Sequence, residues 1–340
     1  MMETTVLGRT GLTVSRSAFG ALPIQRLTKA EAARLLRRAF DGGITFFDTA
    51  RVYSDSEEKM AMGLGALRWQ IIIATKTQAA TPDVFRQHLD TSLATLGTDH
   101  VDIYQFHNPE RVPLADSPLY ACMLDARAQG KIRHIGITCH KLTNAQIALD
   151  SGLYETIQFP LSAISSPAEL DWARACGQHG VGVIAMKALC GGLLTSAAPS
   201  MAALRPMPHV VPIWGFQRDS DLDEVLALEQ SPPALDEAMR ARIARDRDAL
   251  GKDFCRGCGY CAPCAADIEI NTCARMPLLL RRAVYQNFLT PRWHAEMDKI
   301  DACIECGQCM ARCPYQLEIP RLLRAALADY RAFAAEHGAQ

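Results

Sequence analysis

Ile44-Thr-Phe-Phe-Asp-Thr-Ala50, then Ser56 to Leu67, then Ile71-Ile-Ile-Ala-Thr-Lys-Thr77 is the stretch whose reading decides the fold. Its two ends are short and nearly continuous in apolar residues, as strands buried on both faces are. The middle is long enough for a helix. Two such strands joined through a helix form a parallel pair, and the unit recurs on both sides. Upstream, Arg16 to Gly20 reads as a strand and Thr28-Lys-Ala-Glu31 as a capping box opening a helix that Asp41-Gly-Gly43 ends. Downstream, Thr81-Pro82 opens a helix with Val84, Phe85, Leu89, Leu93 and Leu96 on its apolar face. Strands follow at Val101 to His107, His134 to Thr138, Thr156 to Leu161, Val181 to Ala188 and Val210 to Gly215. The helices between them include two with expected capping boxes, Thr143-Asn-Ala-Gln146 and Ser166-Pro-Ala-Glu169, and one from Ser220 to Leu228. Eight strand–helix units in about 230 residues predict an α/β chain with a (β/α)8 TIM barrel over 1–230. An open doubly wound sheet is the alternative, but no G-x-G-x-x-G follows the first strand.

Ser231-Pro232-Pro233 marks a boundary, and a charged connecting helix is expected over 231–250. Residues 251–340 hold two cysteine runs, Cys255-Arg-Gly-Cys258-Gly-Tyr-Cys261-Ala-Pro-Cys264 and Cys303-Ile-Glu-Cys306-Gly-Gln-Cys309-Met-Ala-Arg-Cys313-Pro314. The second is C-x2-C-x2-C-x3-C-P, the spacing that binds iron–sulfur clusters in two-cluster ferredoxins, where each run's fourth cysteine crosses to the other cluster. Two [4Fe-4S] clusters are therefore expected. Cys255, Cys258 and Cys261 would hold one with Cys313; Cys303, Cys306 and Cys309 would hold the other with Cys264. Zinc sites, the alternative, use cysteine pairs set well apart. Cys264 precedes Ala265 where Cys313 precedes Pro314, and Cys273 is the nearest substitute ligand. The 38 residues between the runs, with Met276 to Phe288 reading as helix, predict a small, mainly helical ferredoxin-like domain. A closing helix from Pro320 to Ala335 puts Leu322, Leu323, Ala326 and Tyr330 on one face.

Hydrophobic residues make up 49% of the 340, enough for a packed core, and the formal net charge of −1 argues against nucleic acid as the main partner. No apolar run approaches the ~18 residues that span a bilayer. Met1 to Thr10 carries Glu3 and Arg9 and no apolar block, so a secretory signal is not expected. Thirteen cysteines then read as reduced thiols of a cytoplasmic chain, and disulfides are a poorer reading. The five cysteines outside the runs are expected to be small buried hydrophobes.

In a parallel barrel the C-terminal strand ends face the active site. Asp48, Lys76 and His107 end the second, third and fourth strands, and Tyr53 lies in the loop after Asp48. Singly, each has an ordinary reading as a turn, solvated or packing residue; their order and strand-end placement point to one pocket. A tyrosine is a poor acid at neutral pH, and a nearby ammonium favours its phenolate. A carboxylate keeps that ammonium charged, and a histidine can orient a substrate oxygen. The set suits protonation of a carbonyl oxygen as hydride reaches its carbon.

Gly43-Ile-Thr-Phe-Phe-Asp48-Thr-Ala-Arg-Val-Tyr53-Ser-Asp-Ser-Glu-Glu-Lys59, with Ala74-Thr-Lys76-Thr, Tyr104-Gln-Phe-His107 and Arg9-Thr-Gly-Leu-Thr-Val-Ser15, resembles the aldo-keto reductases. The likeness covers 3–230. With the cysteine runs it resembles the branch fused to an iron–sulfur module. It implies a small carbonyl substrate and a nicotinamide cofactor, NADP(H) or NAD(H), bound without a Rossmann fold. Tyr53 would be the general acid, tuned by Lys76 and Asp48, with His107 orienting the carbonyl. Thr138 and Gln158 would meet the nicotinamide carboxamide and Met186 its ring. Leu189, Gly191 and Gly192 would lie near the pyrophosphate, and Gly215 to Arg218 along the adenosine phosphate side. Several positions depart from the family pattern. Cys139 stands where many members have Asn, and Met186 where many have a stacking Tyr. Asp221 and Val225 stand near the usual Arg and Asn of NADP-preferring members, which weakens that preference, with Arg218 a substitute cation. A carbonyl oxidoreductase is the first reading. The second is an electron-transfer protein whose barrel docks a nucleotide or redox partner protein while the clusters carry electrons. A cluster passes one electron at a time, and no flavin motif stands between it and a hydride donor.

Overall fold

The computed structural model describes residues 2–250, 254–257, 259–282 and 285–337. Two compact units divide it: one runs to Ala188 and resumes over Ser196–Arg240, and the other comprises Leu189–Thr195 and the chain from Ala241 onward.

In the first unit a hairpin of β1 (Thr4–Val6) and β2 (Thr13–Ser15) precedes eight barrel strands. These are β3 (Ala18–Gly20), β4 (Phe46–Asp48), β5 (Ile72–Thr77), β6 (Val101–His107), β7 (Ile132–Thr138), β8 (Thr156–Pro160), β9 (Gly182–Met186) and β10 (Val210–Gly215). All eight pair in parallel, and β10 closes on β3, with Gly215 opposite Gly20. A helix follows each: α1 (Lys29–Asp41), α2 (Ser56–Leu64), α3 (Pro82–Leu96), α4 (Pro118–Ala128), α5 (Leu142–Ser151), α6 (Pro167–Gln178), α7 (Ala198–Leu204) and α8 (Asp219–Gln230). The expected TIM barrel is present.

Local chemistry sets the helix starts. Thr28 and Ser166 form full capping boxes with Glu31 and Glu169, and Thr81 caps α3 with Pro82 in its first turn. The box expected at Thr143 does not form. Helix α5 starts at Leu142, the Gln146 amide donates to Asp150 (2.7 Å), and Asn144 reaches the carbonyls of Pro109 and Glu110.

The hairpin is an element the sequence reading missed. Leu7 and Val14 join Ala18, Phe46, Ala74, Ile103, Ile184 and Val211 in one buried cluster. Gly8 has φ +54°, and a Cβ there would sit 2.2 Å from the Gly182 nitrogen at the start of β9. Only glycine permits that approach. Arg9 donates to the carbonyls of Gly152 and Tyr154, where the chain enters β8. The hairpin therefore closes the N-terminal end of the barrel and leaves the opposite end for chemistry.

α9 (Glu237–Leu250) buries only Ile243 and Leu250. The second unit is mainly helical and has its own core. The last helix, Ile319–His337, supplies Leu323, Ala326, Leu327 and Tyr330 at i, i+3, i+4 and i+7, packed with Ile270, Cys273, Met276, Leu280, Met297 and Ile300. Among the described residues no helix is long and apolar enough to cross a membrane.

Candidate active site and candidate metal centre

Asp48 is the last residue of β4 and Lys76 the penultimate residue of β5, so both project at the C-terminal mouth. Both side chains are buried, and Lys76 Nζ lies 2.6 Å from Asp48 Oδ2 and 2.6 Å from the Thr49 carbonyl. The ammonium also sits 5.1 Å from the centroid of the Tyr53 ring. Tyr53 meets the His107 ring edge to face, with centroids 5.7 Å apart and planes at 82°. The three strand-end residues and Tyr53 therefore form one cluster.

Burial pushes the Tyr53 phenol above its ordinary value; Lys76 pulls it down and Asp48 pushes it up. The sequence predicts a net lowering, but desolvation of the phenolate outweighs the ammonium's attraction. Burial likewise raises the Asp48 carboxyl, opposed first by Lys76 and then by the amides of Gln158 and Gln105. His107 is lowered to about 3, by burial first and the Lys76 charge second, so its imidazole is neutral at physiological pH.

Gln105 escaped the sequence reading. Its amide donates to Asp48 Oδ1 (3.2 Å) and Gln158 Oε1 (3.0 Å), and the Gln158 amide reaches Asp48 Oδ2 (3.5 Å). The signal was available: an amide at the inward position shared with Ile103 and His107 in an apolar strand. Thr138 lies level with His107 on one side and Gln158 on the other. Among the described residues the buried Thr138 Oγ1, Gln105 Oε1 and His107 Nδ1 have no hydrogen-bond partner. Buried polar atoms in that condition call for a ligand or water, and an amide-bearing ring suits them. Met186 is buried with the barrel core at the end of β9.

Other expected cofactor residues lie outside the Asp48–Tyr53–Lys76–His107 cluster. Gly215 ends β10, and the Arg218 guanidinium, beyond it, is paired with Asp221 at 2.7 Å. Asp219 is held by Arg34 and Arg38. Leu189, Gly191 and Gly192 belong to the second unit, with φ +70° and +91° at the two glycines. Arg275 Nη1 approaches the Gly191 carbonyl at 3.5 Å.

In the second unit Cys264, Cys303, Cys306 and Cys309 line one cavity, with Cys261 also on its wall. This is the set expected for the second run and its crossing ligand. Among the described residues no three His, Cys, Asp or Glu side chains are grouped as they would be to hold one metal ion. The four thiols surround a space instead, which fits a polynuclear cluster. Burial raises the Cys309 thiol, and Cys303 and Cys264 nearby add to it. Cys255 accepts a bond from the Gly257 amide at 3.4 Å, and Cys255 and Cys313 pack against the unit's core. Cys258 lies outside the described residues. Cys273 is fully buried, its thiol pushed up to about 12, and it does not line the cavity.

Comparison with known proteins agrees with this layout. The model of the aldo/keto reductase family matches residues 17–227, and that of a 4Fe-4S dicluster domain matches 254–318. A 6-dehydroglucose reductase from Novosphingobium aromaticivorans is 32% identical over 277 residues, covering 72% of this chain and 89% of that one. An L-galactose dehydrogenase from Arabidopsis thaliana is 33% identical over 219 residues, covering 58% and 69%. Among solved structures, an aldo-keto reductase from Bacillus halodurans in its holo form shares the fold at TM-score 0.63 and 20% identity, covering 72% and 96%. One from Klebsiella pneumoniae in complex with NADPH does so at 0.61 and 24%, covering 72% and 95%. The chain belongs to the aldo/keto reductase family and carries a 4Fe-4S dicluster domain behind its barrel.

Proposed function

We propose that this oxidoreductase reduces an aldehyde or ketone, with Tyr53 as general acid and NADPH or NADH as reductant. The observation that carries the reading is the buried Asp48–Lys76 pair beside the Tyr53 ring, with His107 on the ring's other neighbour position. The nicotinamide, when bound, supplies a hydride. As hydride reaches the carbonyl carbon, Tyr53 gives its proton to the oxygen, and the phenolate so formed lies beside the Lys76 ammonium. Asp48 aims Lys76 through their 2.6 Å contact, and is held in turn by the amides of Gln105 and Gln158. A neutral His107 offers an N–H to the carbonyl oxygen without competing as an acid. The raised Tyr53 pKa keeps the proton in place until hydride transfer begins. Thr138 Oγ1, buried without a partner, would meet the carboxamide, with Gln158 beside it. Met186 would cover the ring, and Leu189, Gly191, Gly192, Gly215 and Arg218 would serve the phosphates. For Arg218 that requires release from Asp221.

The cysteines would hold two [4Fe-4S] clusters in the crossed arrangement, and each cluster, when present, exchanges one electron at a time. Cys306 is exposed in the cavity set, which favours electron exchange with an outside partner as a second role. Two relatives bear names for sugar chemistry, so keto sugars and aldoses head the substrate panel. The test is reduction of that panel with nucleotide deuterated at C4: label on the alcohol carbon supports the reading, and no labelled alcohol from any carbonyl contradicts it. Anaerobic titration with NADPH and then NADH, following cluster absorbance, reads the second role. Bleaching favours wiring to the nucleotide, and unchanged absorbance with intact turnover favours a separate role.

A further inference from the structure

Lys59 is a fully buried lysine that the proposed reaction does not use. It lies in the first turn of α2, 1% exposed. Its ammonium donates to the carbonyls of Ile24 (3.0 Å) and Gln25 (3.4 Å) and to Asp55 Oδ1 (2.7 Å). The two carbonyls belong to the turn Pro23–Arg26 after β3, and Asp55 ends the loop that carries Tyr53. A packing role needs only hydrocarbon, which Met60 beside it provides. Burying an ammonium is costly unless acceptors surround it, and here three do.

The loop from Arg51 to Asp55 is also held by other contacts, which join its two ends and the start of α2 to the barrel. Thr49 Oγ1 and Ser56 Oγ are 2.8 Å apart, and the buried Glu57 accepts from Arg51 and from Thr75 Oγ1 (2.8 Å). The Tyr53 amide donates to the Ala50 carbonyl (3.0 Å), and the Tyr53 carbonyl accepts from Ser56 (2.8 Å). At the far end Ser54 has φ +40°, a conformation few non-glycine residues adopt. Strained backbone persists only where its surroundings fix it. At that end the side-chain ties to the rest of the mouth are Ser56 to Thr49 and to the Ala21 carbonyl (3.3 Å), and Asp55 to Lys59, which carries the loop on to the Pro23–Arg26 turn.

We propose that Lys59 is a positioning residue for Tyr53, clamping the acid-bearing loop to the turn after β3. This rests on Tyr53 being the acid. Reaction geometry is steep in distance: a ~1 Å misplacement costs on the order of 10²-fold in rate. Lys59→Met keeps the stem and removes the ammonium. In the cluster-loaded enzyme it is expected to lower kcat roughly 10- to 100-fold, while the nucleotide Kd, read by fluorescence quenching, stays within about twofold. Asp55→Ala breaks only the half-exposed side of the clamp and is expected to lower kcat severalfold with the same split. The double variant should be no worse than Lys59→Met, since both cut one link. Wild-type kcat in Lys59→Met overturns the proposal, and so does a loss matched by an equal rise in nucleotide Kd. Should Lys59→Met not fold, wild-type kcat in Asp55→Ala overturns it. Tyr53→Phe alongside separates the two ideas. An inert Tyr53→Phe with a fully active Lys59→Met sinks the clamp alone; a fully active Tyr53→Phe sinks the acid assignment and the clamp with it.

Discussion

His107 and His140 set how this barrel responds to acid. His107 is lowered to about 3 and His140 well below its ordinary value, in both cases by burial first and then by neighbouring charge: Lys76 on His107, Lys187 and His107 on His140. An unfolded chain binds a proton at each near pH 6.5, whereas the folded chain does not. Their contribution is therefore complete above about 6.5 and is lost as pH falls toward 3, with a slope approaching about 1.4 kcal/mol per pH unit per histidine. Urea midpoints should fall between pH 6.5 and 5, above the carboxylate range, and His107→Gln should flatten the slope; equal midpoints at the two pH values contradict this. The same residues mark what sequence can show. Asp48, Tyr53, Lys76 and His107 were legible because barrel geometry fixes where strand ends point. Gln105 was overlooked although its inward position, shared with Ile103 and His107, was readable; what the spacing did not show was its partners, Asp48 and Gln158. The direction of the Tyr53 shift also escaped, since burial is not written in residue spacing.

Among the elements, the eight strand–helix units were readable from period and punctuation, and boundaries moved by a few residues. The N-terminal hairpin was not readable: its strands are three residues each, and their meaning lies in the far end of the chain they plug. Leu7 is fully buried, and a Cβ on Gly182 would fall 2.7 Å from its Cγ. Leu7→Ala should cost about 2–5 kcal/mol by urea unfolding, through a cavity the closed barrel cannot collapse. A cost under about 1 kcal/mol would mean that the hairpin is a loose lid and not a plug. The capping box at Thr143 shows the limit of local motifs. Gln146 had the right spacing but a better partner in Asp150.

For the molecule as a whole, cysteine spacing was the most transferable signal, because a cuboidal cluster dictates it. The spacing left Cys264 and Cys273 as rivals, and burial separates them. Cys264 is on the cavity, and Cys273 is a raised, core thiol. Cys264→Ser should lower iron from about eight to about four atoms per chain in anaerobically purified protein, and Cys273→Ala should leave it unchanged. Full iron in the first variant, or loss in the second, would reverse the assignment. What spacing could not show is the role of the clusters in a chain whose barrel carries the proposed acid Tyr53 with Lys76, Asp48 and His107. That barrel chemistry is the central claim, and one measurement addresses it most directly: steady-state NAD(P)H-dependent carbonyl reduction by Tyr53→Phe with clusters intact. The account predicts a loss of at least about 10²-fold in kcat with nucleotide affinity retained; turnover at the wild-type rate would contradict it.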